Sequence, residues 1–254
     1  MYIGTQSRQS CARAWVEAAT AIAAAGEGYN VVIDIEDPVN MDEYDDAVIR
    51  HVDSFLREHD QHPVITVANT IFPQAVYHKF GAPAFYDEYL KVHDSLTTSK
   101  QWGRYFERMV RHPTIDEFRP IQELIDKIRE QIAKGKCVKA THELSIYERT
   151  LDRKRWRGGQ CLSFLSFKRL PERGLLLTAI YRNHTYVTRC LGNLIGLGRL
   201  QAFVANETGL EVGPLTCVST HAELDTGKGW GITDARALVN EAREILEATA
   251  ASSI

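Results

Sequence analysis

Apolar positions along the chain recur with two periods, and the switches between them mark the elements. Over residues 8–25, Cys11, Trp15, Ala18, Ala19 and Ile22 share one helical face, with Gly26 and Gly28 as a stop. Residues 31–35 (VVIDI) are β-branched and apolar, which predicts a strand. Across residues 42–59, Val48, Ile49, Val52, Phe55 and Leu56 form a helical stripe, and Asp42, Glu43, Asp45 and Asp46 crowd a first turn where the helix dipole favours them. Residues 64–68 (VITVA) predict another short strand. Pro73, inside the apolar run 69–77, predicts a break; Gly81 and Pro83 punctuate the chain, and a helix follows over 83–92. The segment 102–109 (WGRYFERM) has the mixture of an amphipathic helix. A longer helix is expected over 115–133, where Phe118, Ile121, Leu124, Ile125, Ile128 and Ile132 keep helical spacing up to Gly135.

Beyond it, residues 136–146 are expected to be extended, and 149–157 (RTLDRKRWR) is the densest basic run. A strand then opens at Cys161, turns at LPERG, and returns as LLLTAIYR, ending at Arg182. On the first of these strands, strict alternation sends Cys161, Ser163, Leu165 and Phe167 to one face and Leu162, Phe164, Ser166 and Lys168 to the other. A helix is expected from about Val187, a strand after the GLEVG joint at 209–213, and a closing helix over 241–248 with frayed last residues. With no linker, internal repeat or low-complexity tract, residues 1–254 read as one α/β (α+β) domain, a mixed sheet flanked by helices.

Composition narrows the classes of function. A formal net charge of −3 gives no reason to expect a polyanion partner. The basic run around Trp156 lacks the several interleaved aromatics that a nucleic-acid groove needs, so it reads as solvated surface. The 5 cysteines are scattered without CxxC spacing, which fits a reduced, cytoplasmic protein. No apolar run approaches the roughly 18 residues of a membrane span, and no apolar leader follows a basic start.

The chemistry concentrates on Cys161, which follows Gly158, Gly159 and Gln160 in a turn that exposes the head of its strand. A cysteine in an apolar strand is commonly core. Here the neighbouring strand ends in Arg182, and a guanidinium beside a thiol is expected to lower its pKa toward working pH. The order and spacing of Cys161, Arg182, Asn193 and His221, with an unbroken run from Asn193 to Gly213, resemble the thymidylate synthase superfamily, which includes the pyrimidine nucleotide hydroxymethylases. The resemblance is clearest over residues 158–225.

That resemblance implies Cys161 as nucleophile, Arg182 as phosphate ligand touching the thiol, and Tyr105 facing the cysteine. Asn193 would read the base with one donor and one acceptor, and His221 would bond the sugar; Asn183 and Glu223 complete the implied substrate set. It further implies a pyrimidine nucleoside monophosphate as substrate, with an asparagine favouring a uracil-type base over cytosine. The carbon donor would be a folate, 5,10-methylenetetrahydrofolate, and the product methylated or hydroxymethylated at C5. It implies a homodimer pairing sheet to sheet, with Lys136, Lys139 and residues 153–157 as donors across the interface. Three positions depart from the family: Leu162 replaces a histidine, Thr185 an aspartate of the folate site, and Glu223 a tyrosine that donates to the sugar. A carboxylate cannot donate that bond, which puts the sugar in question. No folate-closing tail is recognisable in EATAASSI. Two other readings stand beside this one: a non-catalytic or repurposed nucleotide-binding relative, and a Cys161/His221 hydrolase.

Overall fold

The computed structural model describes residues 3–4, 8–96, 104–112, 114–154 and 159–250. The strands are β1 (Ile3–Gly4), β2 (Glu27–Ile35), β3 (Glu143–Ser145), β4 (Leu162–Leu170), β5 (Gly174–Tyr181), β6 (His184–Thr185) and β7 (Val212–Glu223). Among the described residues they form one mixed sheet in the order β1-β2-β7-β5-β4-β3, with β6 beside β7. The tight β4–β5 turn suits antiparallel pairing, whereas β5 and β7 run parallel and are joined by a long helical crossover.

The helices are α1 (Cys11–Ala25), α2 (Glu43–Glu58), α3 (Val64–Ile71), α4 (Gln74–Phe80), α5 (Ala84–Leu96), α6 (Tyr105–Val110), α7 (Pro120–Ala133), α8 (Arg149–Asp152), α9 (Leu191–Thr208) and α10 (Ile232–Ala250). A wide π turn, Tyr186–Cys190, leads into α9. Helices α1 and α9 lie on the sheet, and α10 packs across α1 and α2. The expected start of α1 is sharpened by Ser10, whose hydroxyl caps the Arg13 N–H, and Asp42 and Asp45 form a reciprocal cap on α2.

The sheet is buried on one face. Along β5, Leu175, Leu177, Ala179 and Tyr181 point into the core, while Leu176, Thr178 and Ile180 alternate onto a half-exposed face. The same face continues through Phe164, Ser166 and Lys168 of β4, Thr216 and Val218 of β7, and Val32 and Asp34 of β2.

Five expectations are corrected. Residues 64–68 are helical, because Val64, Val67, Ala68 and Ile71 are buried at helical spacing and the Asp53 carboxylate accepts the Val64 N–H at 2.7 Å. The helix expected from 115 begins at Pro120, after Glu117 takes a positive φ of 58° and Arg119 is extended. Only Glu143–Ser145 of the stretch 136–146 is a strand. A bulge between Leu162 and Phe164 shifts the alternation of β4, so Leu162 turns inward with Leu165 and Phe167. The closing helix is longer than expected, starting at Ile232. Pro73 does break the chain, between α3 and α4. Trp102, Trp156 with the basic residues beside it at 155 and 157, and the last four residues lie outside the described residues. No described helix is long and apolar enough to cross a membrane.

Candidate functional site

Cys161 sits one residue before β4, and the pairing of Leu162 with Tyr181 sets it against Arg182 at the end of β5. The Arg182 backbone N–H donates to the Cys161 carbonyl at 2.9 Å, and its guanidinium Nε donates to the Gln160 carbonyl at 2.9 Å. The guanidinium lies over Gly159, where an added Cβ would stand 2.9 Å from Nη2. Among the described residues, Arg182 has no carboxylate in ion-pair contact.

Cys161 lines a cavity of ≈ 340 Å³ together with Tyr105, Asn193, Thr185, Arg104 and Arg189. That volume is at the lower end of the roughly 300–1,000 Å³ of small-ligand sites, room for one small molecule. Tyr105 is the first residue of α6. Burial pushes its phenol up to about 12, while the backbone N–H groups of Cys161 and Leu162 pull the other way. The structure therefore brings Cys161, Tyr105 and Asn193 to one cavity, whereas Arg182 is held on the Gln160 and Cys161 carbonyls and is not among the lining residues.

The thiol does not behave as the neighbouring arginine alone would dictate. Burial is the largest influence and raises the Cys161 pKa; Arg182 and then Arg189 lower it, and Glu223 raises it. The net direction is upward, opposite to the expectation, so the resting site holds a protonated thiol at neutral pH.

Asn193, in the first turn of α9, is 3% exposed. Its amide Nδ2 faces His184 Nε2 at 3.0 Å, its sole side-chain partner among the described residues. Asn183 also lines the cavity, and it ties two further residues behind it: its carbonyl accepts from His221 Nδ1, and its amide donates to Glu223 at 3.2 Å. His221 and Glu223 thus stand behind Asn183 and do not line the cavity. The His221 ring is also held by Glu27 at 3.2 Å, so no Cys161/His221 dyad is assembled in it.

Arg104 and Arg189, which sequence reasoning missed, line the cavity without an ion-pair partner among the described residues. A signal existed for Arg189: it lies four residues before Asn193, one turn away in the same helical run. Asp225 does not reach the cavity lining. Its carboxylate accepts the Val187 N–H at 2.8 Å and the Thr188 hydroxyl at 2.6 Å, fastening the π turn, and burial raises its pKa. Among the described residues the lining thus carries two arginines and no carboxylate.

Elsewhere, His93, Asp94 and Glu107 stand close enough to ligate a metal, but Arg111 bonds both carboxylates and already supplies the compensating cation. No protein-family model matches the chain, and no curated protein is significantly similar to it.

Proposed function

We propose that this chain binds a uracil-type nucleoside monophosphate and adds Cys161 to C6 of the base, in the manner of a pyrimidine C5 one-carbon transferase. The carrying observation is the cavity itself. A cysteine and a carboxamide share a small pocket whose charged lining residues, among those described, are Arg104 and Arg189, with Arg182 bonded to the backbone beside Cys161. Unpaired guanidiniums favour a phosphate, which they bind bidentately.

In the addition, Cys161 gives its proton to solvent water and Sγ bonds to C6, while the C5–C6 π electrons move toward C5 and O4 as an enolate. Asn193 hydrogen-bonds the imide edge where that charge accumulates. A one-carbon electrophile, or a solvent deuteron in the exchange reaction, then bonds to C5, the C5 hydrogen leaves as a proton, and expulsion of the thiolate restores the ring. Tyr105, held by the backbone at Leu162 and Cys161, lines the same cavity as the thiol.

The resemblance names a reduced folate as carbon carrier, and the residues present do not fit it. Its pterin ring needs a carboxylate partner, Thr185 stands where the family has one, and no described lining residue is acidic. C5 activation is the part of the reaction that these residues support.

Activation is tested directly by incubating deoxyuridine or uridine monophosphate in deuterium oxide and following C5 deuteration by mass spectrometry. Deuteration that vanishes in Cys161→Ser supports the reading. Binding without exchange favours a repurposed nucleotide binder, which the protonated resting thiol and the absent acid also fit. Absence of binding ends both.

The half-exposed face of the sheet, with Phe164, Leu176, Ile180 and Val218 among polar neighbours, supports the proposed sheet-to-sheet homodimer. Residues 136, 139, 153 and 154 would then lie near the partner's site.

A further inference from the structure

A carboxamide is ambidextrous. Rotated by 180°, the same asparagine offers its acceptor and donor in the reverse order, and so matches either a 4-oxo pyrimidine (N3–H and O4) or a 4-amino pyrimidine (N3 and N4–H). Asn193 alone cannot choose between them.

Beside Asn193 in the cavity lining is His184, 1% exposed, on the two-residue strand β6. Its ring stacks on Tyr181 with centroids 4.1 Å apart and planes within 5°. Nδ1 is 3.0 Å from the Ser219 hydroxyl, and Nε2 is 3.0 Å from Asn193 Nδ2. Ser219 is itself fully buried on β7. Burial lowers the imidazole pKa to about 3, so the ring is neutral and carries one N–H. With Asn193 Nδ2 against Nε2, that nitrogen accepts and the proton sits on Nδ1, donating to Ser219. A flipped Asn193 would point its carbonyl oxygen at the Nε2 lone pair, leaving two buried acceptors facing each other.

We propose that His184, oriented by Ser219, is a positioning residue that fixes the Asn193 carboxamide and thereby makes the site select 4-oxo over 4-amino pyrimidine nucleotides. The inference rests on the nucleotide reading above and deepens it. In this role His184 acts through Asn193, the side chain its Nε2 faces.

The test compares the affinities of uridine and cytidine monophosphates, by calorimetry at neutral pH, for wild type, Ser219→Ala and His184→Gln. In Ser219→Ala the Nδ1 proton loses its acceptor, so the Nε2–H tautomer with a flipped Asn193 becomes competitive. In His184→Gln the partner amide can rotate with Asn193. Wild type should favour uridine monophosphate by roughly 10- to 100-fold, and both variants should narrow that ratio to within a few-fold. A merely structural role would weaken both nucleotides alike and keep the ratio, which overturns the inference while leaving the nucleotide reading intact. If wild type binds neither nucleotide, both fall together. Should the variants fail to fold, the ¹⁵N shifts of the wild-type His184 ring decide: a neutral Nδ1–H tautomer supports the proposal, and an Nε2–H tautomer or a charged ring overturns it.

Discussion

Cys161 shows how two neighbours of opposite effect are resolved by magnitude. Arginines lower its pKa, burial raises it, and burial is the larger influence. A raised pKa means that the thiolate fraction grows about tenfold per pH unit across the neutral range, so iodoacetamide labelling of Cys161 should keep rising beyond pH 8.5, the ordinary cysteine pKa. Labelling followed residue by residue by mass spectrometry checks this, and a plateau below pH 8 would refute it. Cys161→Ser leaves nearly the same volume with a hydroxyl that scarcely ionises; nucleotide binding should persist while C5 exchange falls by orders of magnitude. Arg189→Ala removes an unpaired guanidinium from the lining and should weaken nucleoside monophosphates roughly ten- to a hundredfold by calorimetry, while affinity for the uncharged nucleosides stays within a few-fold. Cys161, Tyr105, Asn183 and Asn193 were legible because their order along the chain survives as proximity in the cavity. The sign of the thiol shift was not, since it depends on how much chain covers Sγ. Nor was the placing of His221 and Glu223, which adjoin the cavity only through Asn183.

At the scale of elements, the site is held by the contact between α3 and α9. Gly192 and Gly196 bracket Asn193 on the helix and face α3 so closely that a Cβ on Gly196 would lie 2.8 Å from the Ala68 carbonyl oxygen, and one on Gly192 2.7 Å from that of Val64. These are backbone atoms, which cannot swing aside. Gly196→Ala should therefore destabilise the fold by about 1–3 kcal/mol despite alanine's better helix propensity, seen as a Tm lower by roughly 2–10 °C. An unchanged or higher Tm would mean that α3 moves freely. This contact also explains why VITVA misleads: its β-branched composition fits a strand, but the burial that chooses helix comes from glycines more than 120 residues later. The bulge in β4 and the π turn before α9 were equally hidden, for each is one residue out of phase with a regular pattern and is stabilised by a distant partner. The long amphipathic helices α1, α2 and α7 were legible because their spacing and punctuation are local.

For the molecule as a whole, the mixed sheet with helices and the single core followed from the alternation of periods, but which face of the sheet stays open could not be read from strands that carry apolar residues on both sides. Ile180→Glu, placed mid-sheet on the half-exposed face, should convert the proposed dimer to monomer in light scattering at micromolar concentration with little change in secondary structure. Wild type running as a monomer under those conditions would rule the dimer out. If the proposed dimer forms, a sheet face covered by its own copy also ties folding to abundance. Each tenfold dilution removes about 1.4 kcal/mol from the free energy separating folded dimer from unfolded chains, so Tm should fall as the protein becomes scarce. In a cell, expression level would then set how much of the chain is folded as well as how many copies exist.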